Sequence, residues 1–225
     1  MGLGSNSGSP RIFLSVGFGK IRQKSLENKE KVTSTTPNAV KRLKQDNTET
    51  WAIEHDYISG KIENIFFKED EKYGNSFEVV LLDGIDKYQI SFSEDNRFWF
   101  DFMKKLPNVL MNDAVKITAY DFVDKKTGKR KAGISLEQNG NKITSFYDKK
   151  KDETTWELLH GFPKSDGIDW KDKDELKIYF IRVKKFLHNE FNTRIAPLFE
   201  LVSEKHNIEV EDNSNDVGPV DDLPF

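Results

Sequence analysis

Along much of this chain apolar side chains recur at every second position, the period of a strand with one buried face. Ile12, Leu14, Val16 and Phe18 alternate, so Arg11 to Lys20 reads as a strand. Trp51, Ile53, His55 and Tyr57 share a face, Ser59-Gly60 allows a bend and Ile62 to Phe67 continues the run, which predicts one long coiled strand. Phe77, Val79 and Leu81, then Tyr88, Ile90 and Phe92, flank the turn dipeptide Asp83-Gly84 and predict a hairpin. The pattern is sharpest from Asp113 to Glu137, where Val115, Ile117 and Ala119 alternate with Lys116, Thr118, Tyr120 and Phe122. On the return flank Ala132, Ile134 and Leu136 alternate with Lys131, Gly133 and Ser135. The two apolar sets can share a core, which leaves an opposite face that is cationic, aromatic and locally bare of side chain. Between the flanks, Asp124-Lys125-Lys126-Thr127-Gly128-Lys129-Arg130-Lys131 carries five positive charges and a glycine where a hairpin commonly needs positive φ. Asn139-Gly140 then turns the chain into a further strand, Lys142 to Tyr147.

The period changes twice. Phe98, Trp99, Phe102, Met103 and Leu106 follow helical spacing, with Ser93 or Asp95 as cap and an end near Pro107, and their rings are expected to plug the core. Asp172 with Glu175 resembles a capping box opening a helix whose Leu176, Tyr179, Phe180, Val183, Leu187 and Phe191 form an apolar stripe. That stripe is expected to pack on the core or on a second subunit, which allows a homodimer. Pro197 should break or kink the helix, and a short helical stretch follows to about His206. Arg22 to Thr36 is polar and reads as a linker or mobile arm, Thr36-Pro37 as the start of a short helix to Lys44, and residues 152–172 as irregular. The resulting division is an N-terminal strand and basic linker (1–49), a core (50–151), a helical extension (152–206) and an acidic tail (207–225).

The net charge of −3 conceals a segregation. Residues 207–225 hold six acids and no Lys or Arg, so the rest of the chain is mildly basic, and its cations concentrate in residues 11–44 and 113–151. Cysteine is absent, which excludes disulfides, thiol catalysis and Cys-based zinc sites. No run of about 18 apolar residues and no signal-like start occurs, so no membrane association and a cytoplasmic location are expected. Gly2-x-Gly4 and Gly17-x-Gly19 lack the spacing of a dinucleotide fingerprint, and no phosphate loop occurs. The four histidines, 55, 160, 188 and 206, have no metal spacing, and Asp166 to Glu175 lacks the ligand order of a calcium loop. The expectation is a protein that is not an enzyme and needs no cofactor.

Three strands, a helix and two strands over residues 50–147 is the element order of the OB fold, a partly open five-stranded barrel. The chain closes on Asp221-Asp222-Leu223-Pro224-Phe225. In these two features it resembles single-stranded DNA-binding proteins of bacteria and, more closely in size and helical C-terminal region, of bacteriophages. The resemblance implies a mainly β fold with α additions: a five-stranded OB barrel with one inserted helix, an extra N-terminal strand and a C-terminal helical region. It implies that the loops Lys68 to Asn75 and Asp124 to Lys129 grip an oligonucleotide, and that a disordered tail docks replication and repair enzymes (a polymerase, helicase or primase) through Asp221, Asp222, Leu223, Pro224 and Phe225. Leu223 stands where family members usually carry Ile, and residues 152–206 have no counterpart in the bacterial proteins.

Binding of single strands needs a basic groove that follows phosphates and rings on which bases stack. The candidates for stacking are Tyr120 and Phe122, then Tyr73 and Tyr57; for phosphates, Lys116, Lys125, Lys126, Lys129, Arg130 and Lys131. The expected role is coating single-stranded DNA in phage-type replication, recombination and repair, in the host-cell cytoplasm if phage-encoded. The acidic tail could also occupy the protein's own basic groove at low salt. The rivals are an RNA-binding OB or cold-shock-like protein and an adaptor whose aromatic face binds protein.

Overall fold

A computed structural model of the chain describes residues 11–199, apart from residues 45, 72, 73, 95, 152–155 and 166, with the backbone alone for 149–151 and 156–158. The fold is mainly β with two α-helices. Ten strands share one sheet: β1 (Arg11–Gly17), β2 (Lys20–Gln23), β3 (Ala39–Leu43), β4 (Glu49–His55), β5 (Tyr57–Lys68), β6 (Ser76–Asp83), β7 (Asp86–Ser93), β8 (Ala114–Val123), β9 (Arg130–Gln138) and β10 (Asn141–Lys142). Helix α1 (Arg97–Lys105) separates β7 from β8, β11 (Lys149–Lys151) and β12 (Trp156–Leu158) form a separate two-stranded ribbon, and α2 (Lys173–Glu190) follows.

The sheet runs β10-β9-β8-β5-β6-β7-β1-β2-β4-β3. Within it β5, β6 and β7 form a meander, the chain crosses through α1, and β8 returns to pair with the first half of β5, Tyr57 to Lys61. Closing these five strands into a barrel would require β7 to meet β9. Instead the outer edge of β7 is taken by β1, running parallel, and the hydrogen-bonded sheet is open. Its far side bends back so that the β1–β2 turn rests on β8. A Cβ on Gly19 would overlap the amide nitrogen of Asp121 and lie 2.9 Å from its Cβ, so only glycine permits this approach.

Several local expectations yield to long-range pairing. The run from Arg11 to Lys20 is a hairpin, because Phe18 (φ 55°) and Gly19 (φ 68°) turn the chain at positive φ. The long coiled strand is broken at Asp56, where β4 leaves β2 and β3 and β5 joins β6 and β8. Ala39–Leu43 is a strand rather than a helix, since each of its residues pairs with β4 from Ile53 to Glu49. The arm around it is tied down by a Ser25–Lys31 bridge and the buried Val32. The strand after Asn139-Gly140 is two residues long, though Ile143 still donates to Leu136. Residues 149–158 include the ribbon of β11 and β12.

One core joins sheet and helices. Trp99 and Phe102 are fully buried with Phe98 and Met103 beside them, capped by Asn96, whose side chain accepts from the Trp99 amide at 2.9 Å, in place of the expected Ser93 or Asp95. Asp95 lies outside the described residues. Tyr179, Val183 and Leu187 of α2, with Phe191 just after it, enter this same core, while Phe180 is exposed. Asp172 caps α2 by accepting from Asp174 and Glu175, but Glu175 reaches the Asp169 amide and does not complete a reciprocal box. Ahead of Pro197 the helix widens into a π turn, Phe191–Ile195, and regular helix resumes at 196–199. No described helix is long and apolar enough to cross a membrane.

Among the buried ionisable clusters, two bear on stability. Glu54, under Arg22 (3.2 Å) and Arg42 (3.1 and 2.7 Å), is held below the usual carboxylate range, chiefly by the Arg42 hydrogen bond and despite its burial. His188 stacks on Phe67 with ring centroids 4.1 Å apart, near Glu94 and Lys184. Burial holds its imidazole below the ordinary value, with Glu94 acting in the opposite sense.

Glu54→Leu, which strands the buried Arg22, is expected to destabilise the fold by about 3–5 kcal/mol in urea melts. For His188 the unfolded chain takes up a proton near pH 6.5 and the folded chain only below that. Stability therefore falls as pH drops through about 6.5 toward the folded pKa. Circular-dichroism melts of His188→Gln between about pH 7.5 and 5.5 should show a shallower loss than the parent.

Candidate nucleic-acid interface

The face opposite the core on β5, β8 and β9 gathers residues from positions 57 to 137 of the chain. Register places Tyr57 beside Thr118 and Thr118 beside Ser135; on the same face Tyr120 stands opposite Gly133, Phe122 opposite Lys131, and Lys116 opposite Glu137. Cross-strand neighbours of this kind share one side of the sheet. The alternation read between Asp113 and Glu137 is the alternation the strands adopt.

The two rings at the ends of this face are open. Phe122 is 52% and Tyr57 54% exposed, and the Lys116 ammonium lies 4.8 Å from the Tyr57 ring centroid. Tyr120, between them and 5.9 Å from Phe122, is held more firmly. Its ring lies across Gly133, where a Cβ would come within 2.6 Å of the Tyr120 hydroxyl and would overlap Asp101 Oδ2. Burial, then the charge and hydrogen bond of Asp101, push the Tyr120 phenol above its usual value. Asp101 belongs to α1, accepts from the Ile134 amide at 2.7 Å and pairs with Lys105 at 2.7 Å, while Lys105 donates to the Ile134 carbonyl. The helix thereby satisfies backbone groups on the edge of β9 that no strand reaches.

The basic turn divides into neutralised and unpaired cations. Asp121 forks Arg130 at 2.7 and 2.5 Å, and Asp124 pairs with Lys131 while accepting from the Lys126 amide. Both carboxylates are held below their ordinary range, first by those side-chain hydrogen bonds. Lys125, Lys126 and Lys129 make no ion pair among the described residues and project from the turn. A cleft of about 390 Å³ lies on the β8–β9 face, lined by Lys105, Tyr120, Phe122, Lys131, Ser135 and Lys142 among others. Lys142 was not among the sequence candidates; the Asn139-Gly140 turn that carries β10 back along β9 was its one signal. A second cleft of about 380 Å³ opens next to Tyr57, with Gln23, His55, Ser59 and Tyr88 on its walls and Ile21 and Ile58 deeper. Tyr73 and the segment Asp221, Asp222, Leu223, Pro224 and Phe225 lie outside the described residues.

Rings on a sheet, exposed cations at one end and hydrogen-bonding side chains in two clefts can stack planar groups and screen phosphates. Among the described residues no group of three or more His, Asp or Glu side chains is placed to hold a metal ion. No protein-family model, curated protein or solved structure gives a significant match to the chain.

Gly133→Ala should force Tyr120 and Asp101 apart and lower stability by about 1–3 kcal/mol, the range of an overpacked core position. Urea denaturation of this variant beside the control Gly17→Ala, where a Cβ would meet nothing nearer than 3.8 Å, measures the difference, and an unchanged midpoint would show that the Tyr120–Gly133 packing is not formed.

Proposed function

We propose that this chain binds single-stranded nucleic acid, DNA in the first instance, without sequence preference, and acts as a single-stranded DNA-binding protein of a phage-type replication system. The observation that carries the proposal is the β5–β8–β9 face, on which two open rings, Tyr57 and Phe122, flank the tethered Tyr120 and lead to the unpaired Lys125, Lys126 and Lys129. Stacking gives affinity for any base because every base has a π face, and lysines that displace counterions make that affinity salt-dependent. In this reading β5 to β9 with α1 are an OB-type unit whose closing edge has been taken by the N-terminal hairpin. The segment Asp221 to Phe225 would recruit replication, recombination or repair enzymes by presenting acids with apolar side chains to a basic pocket. An RNA-binding protein would use the same face, and an adaptor would use its rings on protein.

Anisotropy titrations of a dT oligonucleotide, its RNA equivalent and a duplex, at several salt concentrations, separate these readings. The proposal expects tight, salt-sensitive binding that prefers single strands; preference for RNA selects the first rival, and weak, salt-insensitive binding the second. Phe122→Ala and Tyr57→Ala are each expected to weaken binding by about 1–3 kcal/mol, roughly 5- to 150-fold. Replacing Lys125, Lys126 and Lys129 together by Ala should reduce the slope of log K against log salt by about 0.7 for each phosphate that is no longer neutralised.

A further inference from the structure

A second surface lies across α1 from the aromatic face. There α1 and α2 enclose a groove of about 520 Å³ lined by Arg97, Phe100, Lys177, Phe180, Ile181 and Lys184. Its floor is apolar: the Phe100 and Phe180 rings are 5.8 Å apart, Phe180 and Ile181 are each 46% exposed, and Ile178 beside them is 58% exposed. Its rim is cationic. Lys184 is engaged with the buried Glu94 at 2.9 Å, but Arg97 and Lys177 make no ion pair among the described residues. Arg97 also lends its charge to Asp121, without a direct ion pair. An apolar floor under two cations free of direct ion pairs fits a short peptide that carries carboxylates beside large apolar side chains better than it fits a phosphate backbone.

The chain itself contains such a segment. Asp221 and Asp222 are followed within three residues by Leu223 and Phe225, and no Lys or Arg occurs from residue 207 onward. Reach is ample. About 27 Å of helix separates Ile181 from residue 199 at 1.5 Å per residue, whereas residues 200–220 extend to as much as about 70 Å.

We propose that Asp221–Phe225 docks in the α1–α2 groove of its own molecule, with Leu223 and Phe225 on Phe100, Phe180 and Ile181 and with Asp221 and Asp222 at Arg97 and Lys177. The proposal does not rest on nucleic-acid binding. It makes the groove a holding site for the segment, from which another basic-apolar pocket must compete it away.

The absence of cysteine allows a direct test on the full chain. A nitroxide on Asn215→Cys, in isotope-labelled protein at low concentration, should selectively erase amide signals near Arg97 to Phe100 and Lys177 to Lys184. The loss should be reversed by Lys177→Glu with Arg97→Glu, two exposed-rim changes whose remaining spectrum reports intact folding, and separately by Phe225→Ala. Undisturbed groove amides in the spin-labelled chain overturn the proposal. So does loss centred on Tyr120 to Lys131, which would place the segment on the basic hairpin. Loss seen only when labelled and spin-labelled molecules are mixed overturns it in favour of a second copy's segment.

Discussion

One carboxylate, Asp101, links the three parts of the molecule that matter most for its surface. A strand at the margin of a sheet leaves amide and carbonyl groups without partners, and at Ile134 neither β8 nor the two-residue β10 reaches them. Asp101 accepts from that amide, Lys105 donates to that carbonyl, and the two side chains, one helical turn apart, pair with each other. Helix α1 is thereby registered against β9 to the residue. The remaining capacity of the carboxylate falls to the Tyr120 hydroxyl, for which Gly133 clears the space. Position 133 must lack a side chain for the helix, the sheet edge and the aromatic face to meet at one point.

The consequence is an aromatic face with graded freedom. Tyr120 is fixed by its hydroxyl, while Phe122 has only the neighbouring Tyr120 ring and Tyr57 only the Lys116 ammonium against it, so a planar ligand would meet a tethered centre with more open ends. Charge is graded in the same way. Asp121 and Asp124 neutralise the two cations nearest the strands, so the positive field is moved outward to Lys125, Lys126 and Lys129 at the tip. A count of five cations in the turn therefore overstates what a phosphate backbone can use without displacing an aspartate.

What was legible in the sequence divides along the reach of the interactions concerned. The alternation from Asp113 to Glu137 could be read because burial of one face fixes the register: Val115, Ile117, Ala119, Ile134 and Leu136 can turn only one way. The α1 rings and the stripe Tyr179, Val183, Leu187 and Phe191 were readable for the same reason, whereas Phe180, one position off the stripe, turns out to solvent. Thr36-Pro37 carried a real local helix signal, but it is overridden by pairing with β4, where Lys41 meets Glu49 and Arg42 meets Glu54. Phe18 continued an alternating pattern and so read as strand; its left-handed conformation is unusual for a bulky residue, and the Arg22 guanidinium lies 4.9 Å from its ring. The route of the N-terminal hairpin to the free edge of β7, which leaves the sheet open, has no local signature at all. At the candidate site, the cations could be listed from composition, but the aspartates that silence Arg130 and Lys131 show only once the turn folds back on itself.

Helix α1 also decides how the two surfaces relate. Successive helical positions are about 100° apart, so Phe100 and Asp101 face adjoining directions, as do Arg97 and Phe98. Asp101 and Lys105 are turned to β9, Phe100 to α2, and Trp99 and Phe102 to the buried core, while Arg97, one turn before Asp101, stands at the boundary, lining the groove and lending its charge to Asp121. Nine residues thus serve as the wall of two clefts and the plug of one core. Because Trp99 and Phe102 are wholly enclosed, the helix cannot roll to favour one cleft without opening the core. The aromatic face and the α1–α2 groove are consequently separate surfaces, and on the proposed reading an acidic-apolar segment would lie in the second while the first stays open to a strand of bases.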